Sequence, residues 1–200
     1  MNTHPRAPDL TAAELTDEGQ PRRRRWTMAE VEQAVAAGIL HEDEHIELID
    51  GVLVTMSPKG RQHEIVREKL AFWWTKKCPD DLMLVSEPGL RLASESTLEP
   101  DIVLFPANLV SPDVTGETVL LVVEVSDSSD SYDLKIKGPL YARLSVREYW
   151  VIDPRSLKTT IHLDPSPDGY RDVHEYGPDE TVTPIAAPML AIRLADLITR

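Results

Sequence analysis

Cysteine is almost absent: Cys78 is the one thiol in 200 residues. A single sulfur excludes an intramolecular disulfide and any structural zinc cluster built from several thiolates, and it fits a reducing compartment. Long apolar runs are lacking as well. The longest, 119–123, falls far short of the ~20 residues that cross a bilayer. The opening residues Met1-Asn2-Thr3-His4-Pro5-Arg6 carry no apolar block of a secretory signal, so the expectation is a soluble, cytoplasmic protein with no membrane partner. Basic residues are in deficit too: 21 Lys and Arg stand against 34 Asp and Glu, a net charge of −13. A body of that sign repels phosphate backbones and anionic membranes beyond contact range, so composition by itself argues against a nucleic-acid partner.

The chain length is that of one domain, which buries about 70% of its unfolded surface and needs neither metal nor disulfide to fold. Residues 1–25 read as a flexible tail ending in Arg22-Arg23-Arg24-Arg25, a solvated basic hinge by default, and 26–200 as the folded domain. No internal repeat is present. The tail holds five basic and four acidic residues, leaving sixteen basic against thirty acidic in the body. Two stretches of that body run the other way. Residues 59–77 carry six basic residues against two acidic, and 131–147 carry four against one.

Thr27 followed by Glu30 is a capping box, and Val31, Val35 and Ile39 recur at helical spacing, which predicts a helix over 27–37. Asp50-Gly51 between two apolar runs predicts a hairpin over 46–56 with a type I′ turn. A helix over 61–77 places Ile65, Leu70 and Trp73 or Trp74 on its apolar stripe. Strands follow at 82–86, 89–93 and 101–105, the last entered through Pro100. The nearly unbroken apolar run 118–126 reads as a central strand covered on both faces. A polar stretch at 127–132 leads into a helix at 132–144, then a strand at 148–152 stopped by Asp153-Pro154. A small hairpin and a short helix from about 194 complete the chain. The fold class is therefore α/β, a mixed sheet with flanking helices.

Function has to come from side chains. Glu124 is the one charge in the strand 118–126, and a lone carboxylate there is costly unless paired, hydrogen-bonded or bound to a cation. Asp101 begins another strand. If the two strands are neighbours, these carboxylates converge and offer the hard oxygen ligands that Mg²⁺ prefers. Lys137 stands four residues after Asp133 on one helix face, placed to act beside a metal-bound water and a phosphate. Glu47, the acidic residue of the strand before Asp50-Gly51, is a third candidate ligand.

Pro100-Asp101, Glu124-Val125-Ser126-Asp127-Ser128-Ser129, Tyr132-Asp133 with Lys137, Pro139-Leu140-Tyr141-Ala142-Arg143 and Glu148-Tyr149-Trp150-Val151-Ile152-Asp153 occur in order. Together with Glu47-Leu48-Ile49-Asp50-Gly51, Met56-Ser57-Pro58 and His63 they resemble the Uma-type family of restriction endonucleases over roughly 27–195. The resemblance implies the PD-(D/E)XK nuclease superfamily, with a restriction-endonuclease-like core that cuts phosphodiesters with a divalent metal, Mg²⁺ or Mn²⁺. It implies that Asp101 and Glu124 ligate the metal and that Glu47 completes the shell. The superfamily's usual lysine position is Ser126 here, and Lys137 fits a lysine moved onto the next helix. Lys59, Arg61, His63 and Ser126 are candidates for substrate contact, with DNA as substrate and a homodimer as the simplest way to cut two strands.

Each reading has a structural competitor. Glu124 and Asp101 can serve as a paired strand-end carboxylate and a turn acceptor, and Lys137 as an i,i+4 partner of Asp133. His63 can pack over the sheet. Asp133 more simply caps or orients its helix, Asp153 ends a strand, and Trp73, Trp74 and Trp150 belong to the core. At the level of function, a non-catalytic module that keeps the nuclease fold and a hydrolase of a small phosphoester compete with the DNA endonuclease.

Overall fold

Local patterns that carry their own stop signals form where the sequence places them. In the computed structural model, which describes residues 24–41, 44–56, 58–110, 113–126 and 133–198, with the backbone alone at 133, α1 spans Met28–Ala36. Thr27 Oγ1 accepts from Glu30 N while the Glu30 carboxylate accepts from Thr27 N, closing the capping box in both directions. Val31 and Ala34 are its buried residues. Ile39 is exposed, because Gly38 turns left-handed (φ 68°) and ends the helix before it. The strands β1 (Ile46–Ile49) and β2 (Val52–Thr55) pair antiparallel around Asp50 and Gly51, whose φ angles of 47° and 77° are those of a type I′ turn. Gly51 is required twice over, since a Cβ there would stand 2.5 Å from Arg25 Cβ.

Helix α2 (Arg61–Thr75) buries Val66, Leu70 and Trp74, one step of four apart. The stripe is displaced by one residue from the expected Ile65, which lies at its margin. Strands β3 (Leu82–Ser86), β6 (Ile102–Pro106), β7 (Leu121–Val125), β8 (Glu148–Ile152), β9 (Thr159–Ser166) and β10 (Gly169–Tyr176) form one sheet in the order β10-β9-β8-β7-β6-β3. Every pair is antiparallel except β7–β8. That parallel pair needs a crossover, supplied by 133–143. The expected single helix there is two pieces, a π-helical turn at Asp133–Lys137 and α3 at Gly138–Arg143. Pro139 has no N–H to give and its ring crowds the carbonyl four residues back, so a regular α-helix does not run through.

A second, antiparallel sheet has the order β2-β1-β5-β4, where β4 is Leu90–Ala93 and β5 is Ser96–Leu98. The three-residue β5 was not foreseen. The C-terminal segment adds β11 (Thr181–Val182) paired with β12 (Ile192–Arg193), then α4 (Ala195–Ile198). The six-stranded sheet separates two cores. One packs Ile102, Leu121, Val123 and Trp150 under α2 and the C-terminal segment, with Trp74 edge-on to Trp150 at 5.8 Å. The other packs Val103, Val122, Tyr149 and Val151 against α3 and the second sheet. The architecture is the expected mixed α/β sheet with helices on both faces. Among the described residues no helix is long and apolar enough to cross a membrane. The expected tail through Arg23 and the polar stretch 127–132 lie outside the described residues, as does the Asp133 side chain.

Candidate active site

Strand alternation puts Glu124 on its face. Leu121, Val123 and Val125 enter the core under α2, so Glu124 shares the side of Val122, toward α3 and the second sheet, and is 4% exposed. The β6–β7 register pairs Ile102 with Val123. Continued by one residue, it sets Asp101 opposite Glu124. Asp101 is buried, and each oxygen is in use: Oδ1 accepts from Lys59 Nζ at 2.9 Å, and Oδ2 accepts from His63 Nε2 at 2.9 Å and from Val125 N at 2.7 Å. Burial pushes this carboxyl's pKa up, but the hydrogen bond and charge of His63 and the ammonium of Lys59 outweigh burial and hold it below the ordinary value.

Glu47 arrives from the second sheet, on β1. Its Oε1 accepts from Glu99 N and from Lys137 Nζ, both at 2.9 Å, while Oε2 is buried with no partner among the described residues. Lys137 closes the π-helical turn with its side chain 3% exposed, and its Nζ reaches Glu124 Oε1 at 3.0 Å. One ammonium therefore joins a carboxylate of each sheet. The same Glu124 oxygen accepts from the Tyr141 hydroxyl at 3.1 Å.

These groups open onto a cleft of about 940 Å³ lined by Glu47, Lys59, His63, Asp101, Glu124, Ser126 and Lys137 among others. Arg61, the first residue of α2, is exposed and stands outside the lining. The lining carries Glu47, Glu64, Glu87, Glu99, Asp101 and Glu124 against Lys59, Lys137 and Arg155, an acidic excess of three. Such an excess attracts cations and repels phosphate.

Apart from Lys59 and Lys137, the basic residues of 59–77 and 131–147 do not line this cleft. Lys69 Nζ donates to Leu197 O at 2.8 Å, and Lys76 and Lys77 lie over the rings of Phe72 and Trp73. Arg67 is held by Glu64 and Glu87, and Arg143 pairs with Asp50 at 2.6 Å. Arg147 lines a separate small pocket. Helix α2 is long enough that its C-terminal lysines stand several turns from its N-terminal end at the site. Glu87 was missed in the sequence, although Pro88-Gly89 after it marks a turn. It adopts φ 50° and ties Lys59 to Arg67. In the sequence Tyr141 stands out only as part of a motif, and its spacing of four from Lys137 is the signal that both reach one point.

No three His, Cys, Asp or Glu side chains among the described residues already stand together as a metal-binding group. Lys137 bridges Glu47 and Glu124, and Lys59 and His63 cover Asp101. The donor chemistry nevertheless fits a hard divalent cation: three buried carboxylates face one acidic cleft, and Glu47 Oε2 is an orphaned acceptor.

No curated protein matches the chain. Among solved structures, a protein of Anabaena variabilis described as "a putative nuclease belonging to DUF820" is similar, with a TM-score of 0.67 over 86% of this chain and 97% of that one, at 16% identity. That likeness establishes the fold. The family model described as "Putative restriction endonuclease" spans residues 28–195. Its match takes in every residue of the cleft, and the chain belongs to this Uma2 family.

Proposed function

We propose that the protein is a metal-dependent endonuclease that hydrolyses the phosphodiester bonds of DNA, with Mg²⁺ or Mn²⁺ as cofactor. The observation that carries this reading is the facing placement of Asp101, just before β6, and Glu124, on β7, with Glu47 and Lys137 in the same cleft. Asp101, Glu124 and Glu47 would hold the cation. A divalent cation bound there lowers the pKa of a water and offsets charge on the phosphate. Lys137 orients the attacking water and donates to the anionic transition state. Lys59 and His63, both anchored on Asp101, face the substrate phosphate, and Ser126 offers a hydroxyl at the end of β7. A homodimer with two symmetric sites would cut both strands.

The test incubates purified protein with supercoiled, linear, branched and single-stranded DNA in Mg²⁺, Mn²⁺ or chelator, beside Asp101→Asn and Lys137→Gln whose folding is checked by circular dichroism. Cleavage that needs the cation and is lost in both variants is expected. Nicking that survives in either variant, or in chelator, overturns the assignment. The acidic lining also favours a second reading, hydrolysis of a small phosphoester, whose substrate makes few phosphate contacts. Turnover of bis(p-nitrophenyl) phosphate with every DNA left intact would select it.

A further inference from the structure

We propose that Tyr141 is a positioning residue that fixes the orientation of Glu124 and thereby sets the affinity of the cleft for a divalent cation; this rests on the metal-dependent reading above. Tyr141 is fully buried and does not line the cleft, so it acts through Glu124. Its hydroxyl and Lys137 Nζ arrive from adjacent turns at the same oxygen, Glu124 Oε1, at 3.1 and 3.0 Å. The two donors differ in freedom. Lys137 ends a flexible four-carbon stem and, in the proposed reaction, turns to the water and the phosphate, which weakens its hold on Glu124. Tyr141 has no such latitude. Its ring lies 5.0 Å from that of Tyr149, which stacks on Tyr170 at 6.1 Å, and the Tyr170 hydroxyl is itself tied to Val146 O at 2.8 Å. A ligand carboxylate whose outer partner is removed commonly loses about 10-fold or more in metal affinity.

The experiment titrates Mn²⁺ into wild type, Tyr141→Phe and Tyr170→Phe, reading free Mn²⁺ by electron paramagnetic resonance and stability by thermal denaturation. Tyr141→Phe is expected to weaken Mn²⁺ binding about 10-fold. Tyr170→Phe, which also deletes one buried-ring hydroxyl, is expected to lower the melting temperature and leave the Mn²⁺ affinity unchanged. Equal affinities for wild type and Tyr141→Phe overturn the inference while the metal reading stands, as does an equal loss in Tyr170→Phe. A wild type that does not bind Mn²⁺ overturns both. Independently of any variant, in protein labelled with 3-fluorotyrosine the Tyr141 fluorine resonance is expected to shift on saturation with Mg²⁺ while that of Tyr170 does not; an unmoved Tyr141 resonance also overturns the inference.

Discussion

Lys137 has its amino group between two carboxylates and 3% of its side chain exposed. It is tolerated because Glu47 and Glu124 surround its ammonium, and the converse holds equally: without it two carboxylates are buried beside each other. Lys137→Met is expected to cost about 3–5 kcal/mol in urea denaturation without metal, and adding Glu47→Gln and Glu124→Gln to recover much of that loss. Asp101 gives a pH signature. Its folded pKa lies below the ordinary 3.8, so between the two values the unfolded chain binds more protons than the folded one. Its contribution is complete above 3.8 and is lost as pH falls through the folded pKa, so Asp101→Asn should flatten the acid limb of a stability–pH curve. Glu124 was legible as the one charge in an apolar strand, and Asp101 by its place behind Pro100. Tyr141 was not, because a helix tyrosine reads as core until its partner, 17 positions earlier, is known to face it.

Elements whose signals are local were legible in the sequence: the capping box of α1, the Asp50-Gly51 turn and the stop at Asp153-Pro154. Elements that depend on distant partners were not. Strand β5 is three residues long and exists because β1 and β4 flank it. The stripe of α2 shifts to Val66 because Trp74, not Trp73, meets Trp150 and donates to Leu190 O at 2.8 Å, 116 positions away. Trp74→Phe keeps most of the apolar volume and orphans that carbonyl; the expected cost is about 1–3 kcal/mol, with faster amide hydrogen exchange first in β12 and α4. Gly51→Ala meets both a positive φ and the Arg25 Cβ at 2.5 Å. A loss of at least ~1 kcal/mol is expected in thermal denaturation, and a variant as stable as wild type would show that the chain before α1 does not rest on the turn.

At the scale of the molecule, the net charge of −13 keeps its force. Of the two basic segments, Lys59 and Lys137 line the cleft, while Lys69, Lys76, Lys77, Arg143 and Arg147 stand elsewhere. Few phosphates are therefore neutralised. The apparent affinity for DNA should fall with salt on a log–log slope of about −2 to −3, against about −10 for a protein with an extensive phosphate-binding face. Kinetics across a sodium chloride series measure it; a slope near −10 would mean that groups beyond this cleft hold the DNA.

Asp101 Oδ2 accepts the amide of Val125, the residue after Glu124, just past the last paired positions of β6 and β7. A side chain thus closes the seam of the sheet where the backbone ladder stops. Alanine at position 101 deletes a carboxylate and unfastens the strand end that carries the next one, so an alanine scan would score two losses at a single site. Asparagine keeps an acceptor for the amide, and the gap in melting temperature between the two substitutions measures that fastening alone.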